Sequence, residues 1–168
     1  LDYYYDNSAR HVQKESFRTH IAAARETGLP LIVHTRDADA DMADILENEM
    51  ENGAFSGVLH CFSSGAELAR RALNIGFYIS LSGIVTFKNA QDLRNIVEKV
   101  PLDRILVETD SPFLAPIPNR GRRNEPSFVV HTAAKVAELK NVSTELLSIS
   151  STNNFFRLFN KARRPQVA

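Results

Sequence analysis

Apolar positions in this chain fall into two patterns. Near-continuous apolar runs at 29–34 (LPLIVH), 57–62 (GVLHCF), 77–82 (FYISLS) and 105–108 (ILVE) alternate with longer segments whose apolar residues recur every third or fourth position. The runs predict short strands and the longer segments amphipathic helices. Residues 11–27 carry Val12, Phe17, Ile21 and Ala24 on one stripe and stop at Gly28. Residues 37–50 carry Met42, Ile45 and Leu46 and break at Asn52-Gly53; residues 66–73 follow a cap at Ser63 or Ser64; residues 89–99 carry Leu93, Ile96 and Val97. Two or three helices, over 128–139, 143–150 and 153–160, finish the chain, with Ser143 or Thr144 and Thr152 as caps. The stretch 111–126 holds four of the seven prolines and predicts a loop long enough to be functional. A run such as 29–34 suits a strand covered on both faces. Strand and helix alternating every 20 to 30 residues or so predict an α/β fold with a parallel sheet. There is no linker and no sequence-level repeat, so residues 1–168 are expected to form a single domain with a basic tail at 161–168.

Composition narrows the partners. Of 168 residues 43% are hydrophobic and 24% charged, and 20 basic residues balance 20 acidic ones, so any case for a nucleic-acid, membrane or acidic partner must be local. Cys61 is the single cysteine, which excludes an internal disulfide and fits a reducing interior; the expected location is cytoplasmic. No run approaches the ~20 apolar residues of a membrane helix, so no membrane partner is expected. The chain opens on Leu1-Asp2 and a cluster of three tyrosines, without Met, as though cut from something longer.

The strand ends carry the candidate chemistry. If the strand at 105–108 stays extended to Asp110, Glu108 and Asp110 project to one side, where two carboxylates can bind a divalent cation or handle protons. On its own a Glu-x-Asp of this kind is more often a solvated turn. Two further strands end in His34 and His60, and two imidazoles plus Asp110 at the carboxyl edge of one parallel sheet make an N,N,O set suited to Zn or Mn. A lone strand-terminal histidine is usually a hydrogen-bonded core residue; three coincident strand ends favour a site. Hydrolysis is the natural class, because a divalent ion brings the pKa of water toward neutrality. Asp110 can serve both as ligand and as proton acceptor, and Glu108 as an orienting group or a ligand through water. Arg36 can pair with Glu108, bind substrate or lie on the surface. In the loop, Arg120, Arg122 and Asn124 are candidate substrate contacts, since arginines at the mouth of a metal site clamp phosphate; anchoring of the loop to acids such as Glu125 is the competing reading. Along the sequence, aromatic residues are not interleaved with basic ones as in a strand-binding surface.

Five strings together resemble one family: VHTRDA at 33–38, HCFSSG at 60–65, SLSGIVTFK at 80–88, ETDSPFLAP at 108–116 and RGRRNEP at 120–126. They are similar to the TatD family of metal-dependent deoxyribonucleases, amidohydrolase-like TIM-barrel hydrolases, in the right order from Leu1 to about residue 161. The resemblance implies that His34, His60 and Asp110 are metal ligands, that the cofactor is a divalent ion (Zn, Mn, Mg, Ni or Co), and that the substrate is DNA. HCFSSG has one serine more than the usual string. The family's His-x-His pair and bridging Glu, which precede a Gly-Leu-Asp-Tyr string, are absent, because this chain starts at that Leu-Asp-Tyr. A TIM barrel takes ~250 residues and eight strands. The resemblance therefore implies the second half, about four βα units, of a (β/α)8 barrel, parallel strands with outer helices. The expectation is a partial chain of a complete enzyme, its missing N-terminal half covering the open sheet edges; a true half-barrel covered by a second chain is the alternative. Two further functional readings stand beside the nuclease: a hydrolase of amide, ester or lactone bonds with the same metal set, and a catalytically inactive half-barrel that serves as an interaction module.

Overall fold

The computed structural model describes residues 1–165. Four short strands, β1 (Leu31–Val33), β2 (Gly57–Leu59), β3 (Tyr78–Leu81) and β4 (Ile105–Val107), form one parallel sheet in the order β1-β2-β3-β4. Helices α1 (Arg10–Thr27), α2 (Asp39–Glu51), α3 (Ala66–Asn74) and α4 (Gln91–Val97) precede the strands in turn, and α5 (Val129–Leu139) and α6 (Thr144–Leu158) follow β4. Sequential parallel neighbours joined through helices are the α/β arrangement that the alternating periods predict.

The pleat sorts the strand residues between two faces. Val33, Leu59, Ile79, Leu81 and Ile105 point to the helices and join Met42, Leu46, Leu68, Phe77, Val97, Val136 and Leu147 in the main core. Burying a side chain of this size contributes about 2 kcal/mol, so this layer holds the fold together. The opposite face carries Val58, Tyr78 and Leu106, which pack with Leu158 of α6 as a small second cluster. Ile32, in register with Val58, is 65% exposed. The expectation that 29–34 is covered on both faces therefore fails: its apolar run is real, and among the described residues only one face has a covering layer.

Two local expectations are also corrected. Residues 143–160 form one helix, α6, rather than two, because the polar stretch Ser151 to Asn154 has partners inside the fold. Asn154 is buried, and its Nδ2 donates 2.9 Å bonds to the carbonyls of Leu102 and Ile105. That leaves Thr152 inside the helix; Ser143 is the cap, its Oγ accepting from the Leu146 N–H at 3.0 Å. At α3 neither Ser63 nor Ser64 caps; the N-cap is Gly65, whose N–H donates to Asp39 Oδ2 at 2.8 Å.

The loop after β4 sits directly on the sheet edge. Gly83, in a 3-10 turn after β3, touches the Leu114 carbonyl and Pro116, so that a Cβ there would collide with main chain. At the other edge Leu1 to Tyr3 run beside the end of β1: Asp2 bridges Arg36, and the Tyr3 and Arg36 N–H groups donate 2.9 Å bonds to the Arg36 and Leu1 carbonyls. Of the basic tail, Lys161 donates to the Thr27 carbonyl and Arg164 to Asn153; residues 166–168 lie outside the described residues. Among the described residues no helix is long and apolar enough to cross a membrane.

Candidate metal centre

The carboxyl ends of β2 and β4 bring three side chains together. Ligand-type atoms of His60, Glu108 and Asp110 all lie within 4.8 Å of one another. His60 Nδ1 stands 2.8 Å from Glu108 Oε1, and its Nε2 stands 3.6 Å from Asp110 Oδ1. The alternation argument for the two carboxylates does not describe how they meet. β4 ends at Val107, and Asp110 takes a left-handed φ of 57° that turns its side chain back toward His60. Cys61 has a φ of 47°, and in that conformation its N–H donates to Glu108 Oε2 at 3.2 Å. Left-handed backbone at non-glycine residues costs energy and persists where surrounding contacts hold it; here it flanks the cluster on both strands.

Those contacts come from the proline-rich loop. Asn124 is buried, and its Nδ2 donates to the Thr109 carbonyl at 2.8 Å and the Phe113 carbonyl at 2.6 Å, while its Oδ1 accepts from the Glu125 N–H. The Phe113 N–H closes a turn onto the Asp110 carbonyl at 2.9 Å. Asn124, read from sequence as a substrate contact, thus spends its amide on main chain and fixes the segment that carries Asp110. Ser80 of β3 is buried, lines one cavity with His60 and Glu108, and favours the Glu108 carboxylate. Neither the Cys61 N–H nor Ser80 carries a signal in the sequence that points to the cluster.

Charge in the cluster is set by burial against pairing. Burial alone drives the Glu108 carboxyl up, but His60, Ser80 and the Cys61 N–H outweigh it and leave the group below its ordinary value. The Glu108 carboxylate in turn raises His60 above its ordinary value, against the effect of burial. Cys61 is different: burial pushes its thiol up to about 11, with Ser82 acting the other way, so in the metal-free protein it is protonated at neutral pH.

Does the cluster suit a divalent ion? The donor set is one imidazole and two carboxylates, appropriate to Zn, Mn or Mg. Glu108 Oε1 is buried and, despite its closeness to His60, has no aligned hydrogen-bond donor among the described residues. A buried carboxylate oxygen left without a donor is costly and is satisfied by a cation. The residues fit.

His34 stands apart from this cluster. It follows β1 beside His60, whose N–H bonds the Val33 carbonyl at 2.9 Å, but its ring is 54% exposed and its Nε2 lies 2.9 Å from Asp2 Oδ2. Arg36 is laid over the Tyr4 ring at 3.8 Å and donates to the Tyr5 hydroxyl at 3.3 Å; it makes no ion pair with Glu108. Arg120 stacks on Phe87 at 3.8 Å, and Arg122 is exposed with no side-chain hydrogen bond or ion pair among the described residues. On the inner face a cavity of about 590 Å³ runs from His60 and Glu108 past Val58 and Leu106 to Val130 and Phe155 of the last two helices.

A parallel α/β protein with an acidic, histidine-containing cluster at its carboxyl edge is the class that this geometry defines. The model of the family described as TatD related DNase matches residues 1–160, and the chain belongs to that family. It is 53% identical over 159 residues to the uncharacterized metal-dependent hydrolase YcfH of Escherichia coli, covering 95% of this chain and 60% of that protein. It is 48% identical to the uncharacterized metal-dependent hydrolase YabD of Bacillus subtilis, covering 95% of this chain and 62% of that one. The fold matches the crystal structure of YJJV, a TatD homolog from E. coli, with a TM-score of 0.86 at 27% identity over 95% of this chain and 61% of that one. The chain thus spans about three fifths of the length of the relatives it matches.

Proposed function

We propose that this chain belongs to a divalent-metal-dependent hydrolase that cleaves phosphodiester bonds of DNA with water as nucleophile. The convergence of His60, Glu108 and Asp110 carries the reading, and membership of the TatD related DNase family supports it. His60 and Asp110 would hold the ion, with Glu108 beside them and His34 joining as a further ligand when its ring leaves Asp2. A bound divalent ion supplies the positive charge that polarises a phosphoryl oxygen and brings water toward its hydroxide form. Asp110 takes the proton from the attacking water, and Glu108 fixes the orientation of the His60 ring. Arg36, Arg120 and Arg122 offset the phosphate charge. Asn124 acts at one remove, by holding the loop.

The open inner face belongs to the same reading. Ile32 is 65%, Val130 58% and Phe155 42% exposed, an apolar surface that further barrel strands, or a second chain, would cover. In this proposal the chain is the second half of an eight-stranded barrel, residues 1–168 act as one domain, and the setting is a reducing cytoplasm, in keeping with the free Cys61 thiol.

One observation favours a second reading: the cavity that begins at His60 and Glu108 is lined mostly by apolar side chains, which suits a small amide, ester or lactone. The deciding experiment incubates the protein with end-labelled single- and double-stranded DNA and, separately, with an ester, lactone and amide panel, adding Mn²⁺, Mg²⁺, Zn²⁺, Ni²⁺ or Co²⁺. The nuclease reading expects metal-dependent release of nucleotides that Asp110→Asn removes. Turnover of the small-molecule panel with DNA left intact overturns it in favour of the second reading; no bound metal and no turnover overturns both and leaves an interaction module.

A further inference from the structure

One exposed place where two aromatic rings share a basic side chain is not visible along the sequence. Tyr4 and Tyr5 are 57% and 61% exposed and stand edge to face with ring centroids 4.9 Å apart. The Arg36 guanidinium lies 3.8 Å from the centre of one ring and 5.0 Å from the other, and it donates to the Tyr5 hydroxyl. Two exposed tyrosines alone would be unremarkable. These are held: the Tyr4 and Tyr5 N–H groups both donate to Asp2 Oδ1, at 3.1 and 3.0 Å, and Asp2 is bridged through main chain to Arg36. The main chain that carries the rings is therefore fixed before a ligand arrives.

Beside them opens a polar groove of about 470 Å³, lined by Arg36, Thr35, Ser63, Ser64 and Gly65 along with Asp37 and Asp39. Asp39 is engaged with the Gly65 N–H. The groove joins the segment after β1 to the segment after β2, and Arg36 belongs both to it and to the aromatic pair. Exposed rings, a guanidinium laid over them and an adjoining groove lined with hydroxyls match the chemistry of a single nucleic-acid strand, which offers a π-face and a phosphate at each nucleotide. The two acids in the groove place the phosphate at its Arg36 mouth.

We propose that Tyr4, Tyr5 and Arg36 form a stacking platform that holds one base, and the phosphate next to it, of a single strand entering the metal centre. The platform rests on the nuclease reading only for the class of its ligand. Binding is measured with the metals chelated, by fluorescence anisotropy of a labelled oligothymidylate of about ten nucleotides, so that the metal centre contributes nothing. The Tyr4→Ala/Tyr5→Ala double variant is expected to weaken binding about tenfold or more, and Tyr4→Phe/Tyr5→Phe to retain it, because phenyl rings keep the π-faces. Tyr4→Leu/Tyr5→Leu keeps apolar bulk without a stacking face and should fall with the alanine variant, which separates lost stacking from lost folding. Arg36→Gln should reduce the slope of log affinity against log salt by about one. No saturable binding by the unaltered protein, or leucine and alanine variants that bind within about twofold of it, overturns the platform. Cleavage measured separately with Mn²⁺ keeps the two ideas distinct: cleavage with KM unchanged in the tyrosine variants overturns the platform and leaves the nuclease, whereas ring-dependent binding without cleavage does the reverse.

Discussion

The carboxyl ends of β1 and β2 start from the same chemistry, a histidine one residue past an apolar strand, and end in opposite circumstances. His60 is drawn in. It meets Glu108 and Asp110 from a strand two places away and is raised in basicity by Glu108. His34 stays outside, half-exposed and paired with Asp2 from the first turn of the chain. The difference lies in the neighbours. β2 has a strand on either side, so its end is surrounded by other strand ends; beside β1 the described residues show β2 on one side and the short Asp2–Arg36 bridge. Among the described residues, the histidine with a strand on either side is the one drawn into the cluster.

The strongest way to break that comparison is at Asp110. Asp110→Asn keeps the shape and loses a ligand and proton acceptor, so metal-dependent hydrolysis should fall about 10³-fold in a turnover assay. An unaltered rate would remove Asp110 from the chemistry and make β2 and β4 as inert as β1. Glu108→Gln comes next. It leaves the His60 ring unoriented and should weaken metal affinity about 10- to 100-fold by calorimetric titration. His34→Gln should show a smaller loss of the same kind, because His34 joins as a further ligand only when its ring leaves Asp2; no loss at all would keep His34 outside the ligand set.

A smaller effect is expected in the pH dependence of stability, followed by thermal melting of the metal-free protein. Because Glu108 is lowered, the contribution of its pairing is complete above its ordinary value of 4.5 and is lost as pH falls through the lowered one. Because His60 is raised, the same pairing is complete below its ordinary value of 6.5 and fades as pH rises through the raised one. The melting temperature should therefore carry a plateau between those limits that Glu108→Gln flattens; an identical profile in the variant would show the pair to be uncoupled. The smallest effect belongs to His34. An ion pair this exposed contributes little, so His34→Gln should shift unfolding by no more than about 0.5 kcal/mol in the metal-free protein, and a larger shift would mean that β1 ends in an integrated site after all.

Much of this arrangement is legible in the sequence because it is local. Apolar runs bounded by Gly, Pro and polar clusters locate all four strands, and Gly28 and Ser143 mark helix boundaries that the structure keeps. His60, Glu108 and Asp110 are legible as candidates because each closes or follows an apolar run. What escapes is set by contacts distant along the chain. α6 runs unbroken through Ser151 to Asn154 because Asn154 bonds carbonyls 52 and 49 residues earlier. Arg36 meets Tyr5 across 31 positions, so an aromatic and basic surface that does not exist along the sequence exists in space. The exposure of Ile32 is equally hidden, since an apolar run records what a strand is made of and not how many layers cover it.

Gly83 bears on how such a site can change. Its missing side chain lets two stretches of main chain touch, so the seat of the loop at Leu114 and Pro116 is made by backbone alone. Asn124 fastens the far side of the same loop to carbonyls. The side chains of Phe113, Arg120 and Arg122 take no part in either attachment and are free to be exchanged. Alteration of substrate preference by random mutagenesis should accordingly collect in those three positions, while Gly83 and Asn124 stay fixed in every active variant.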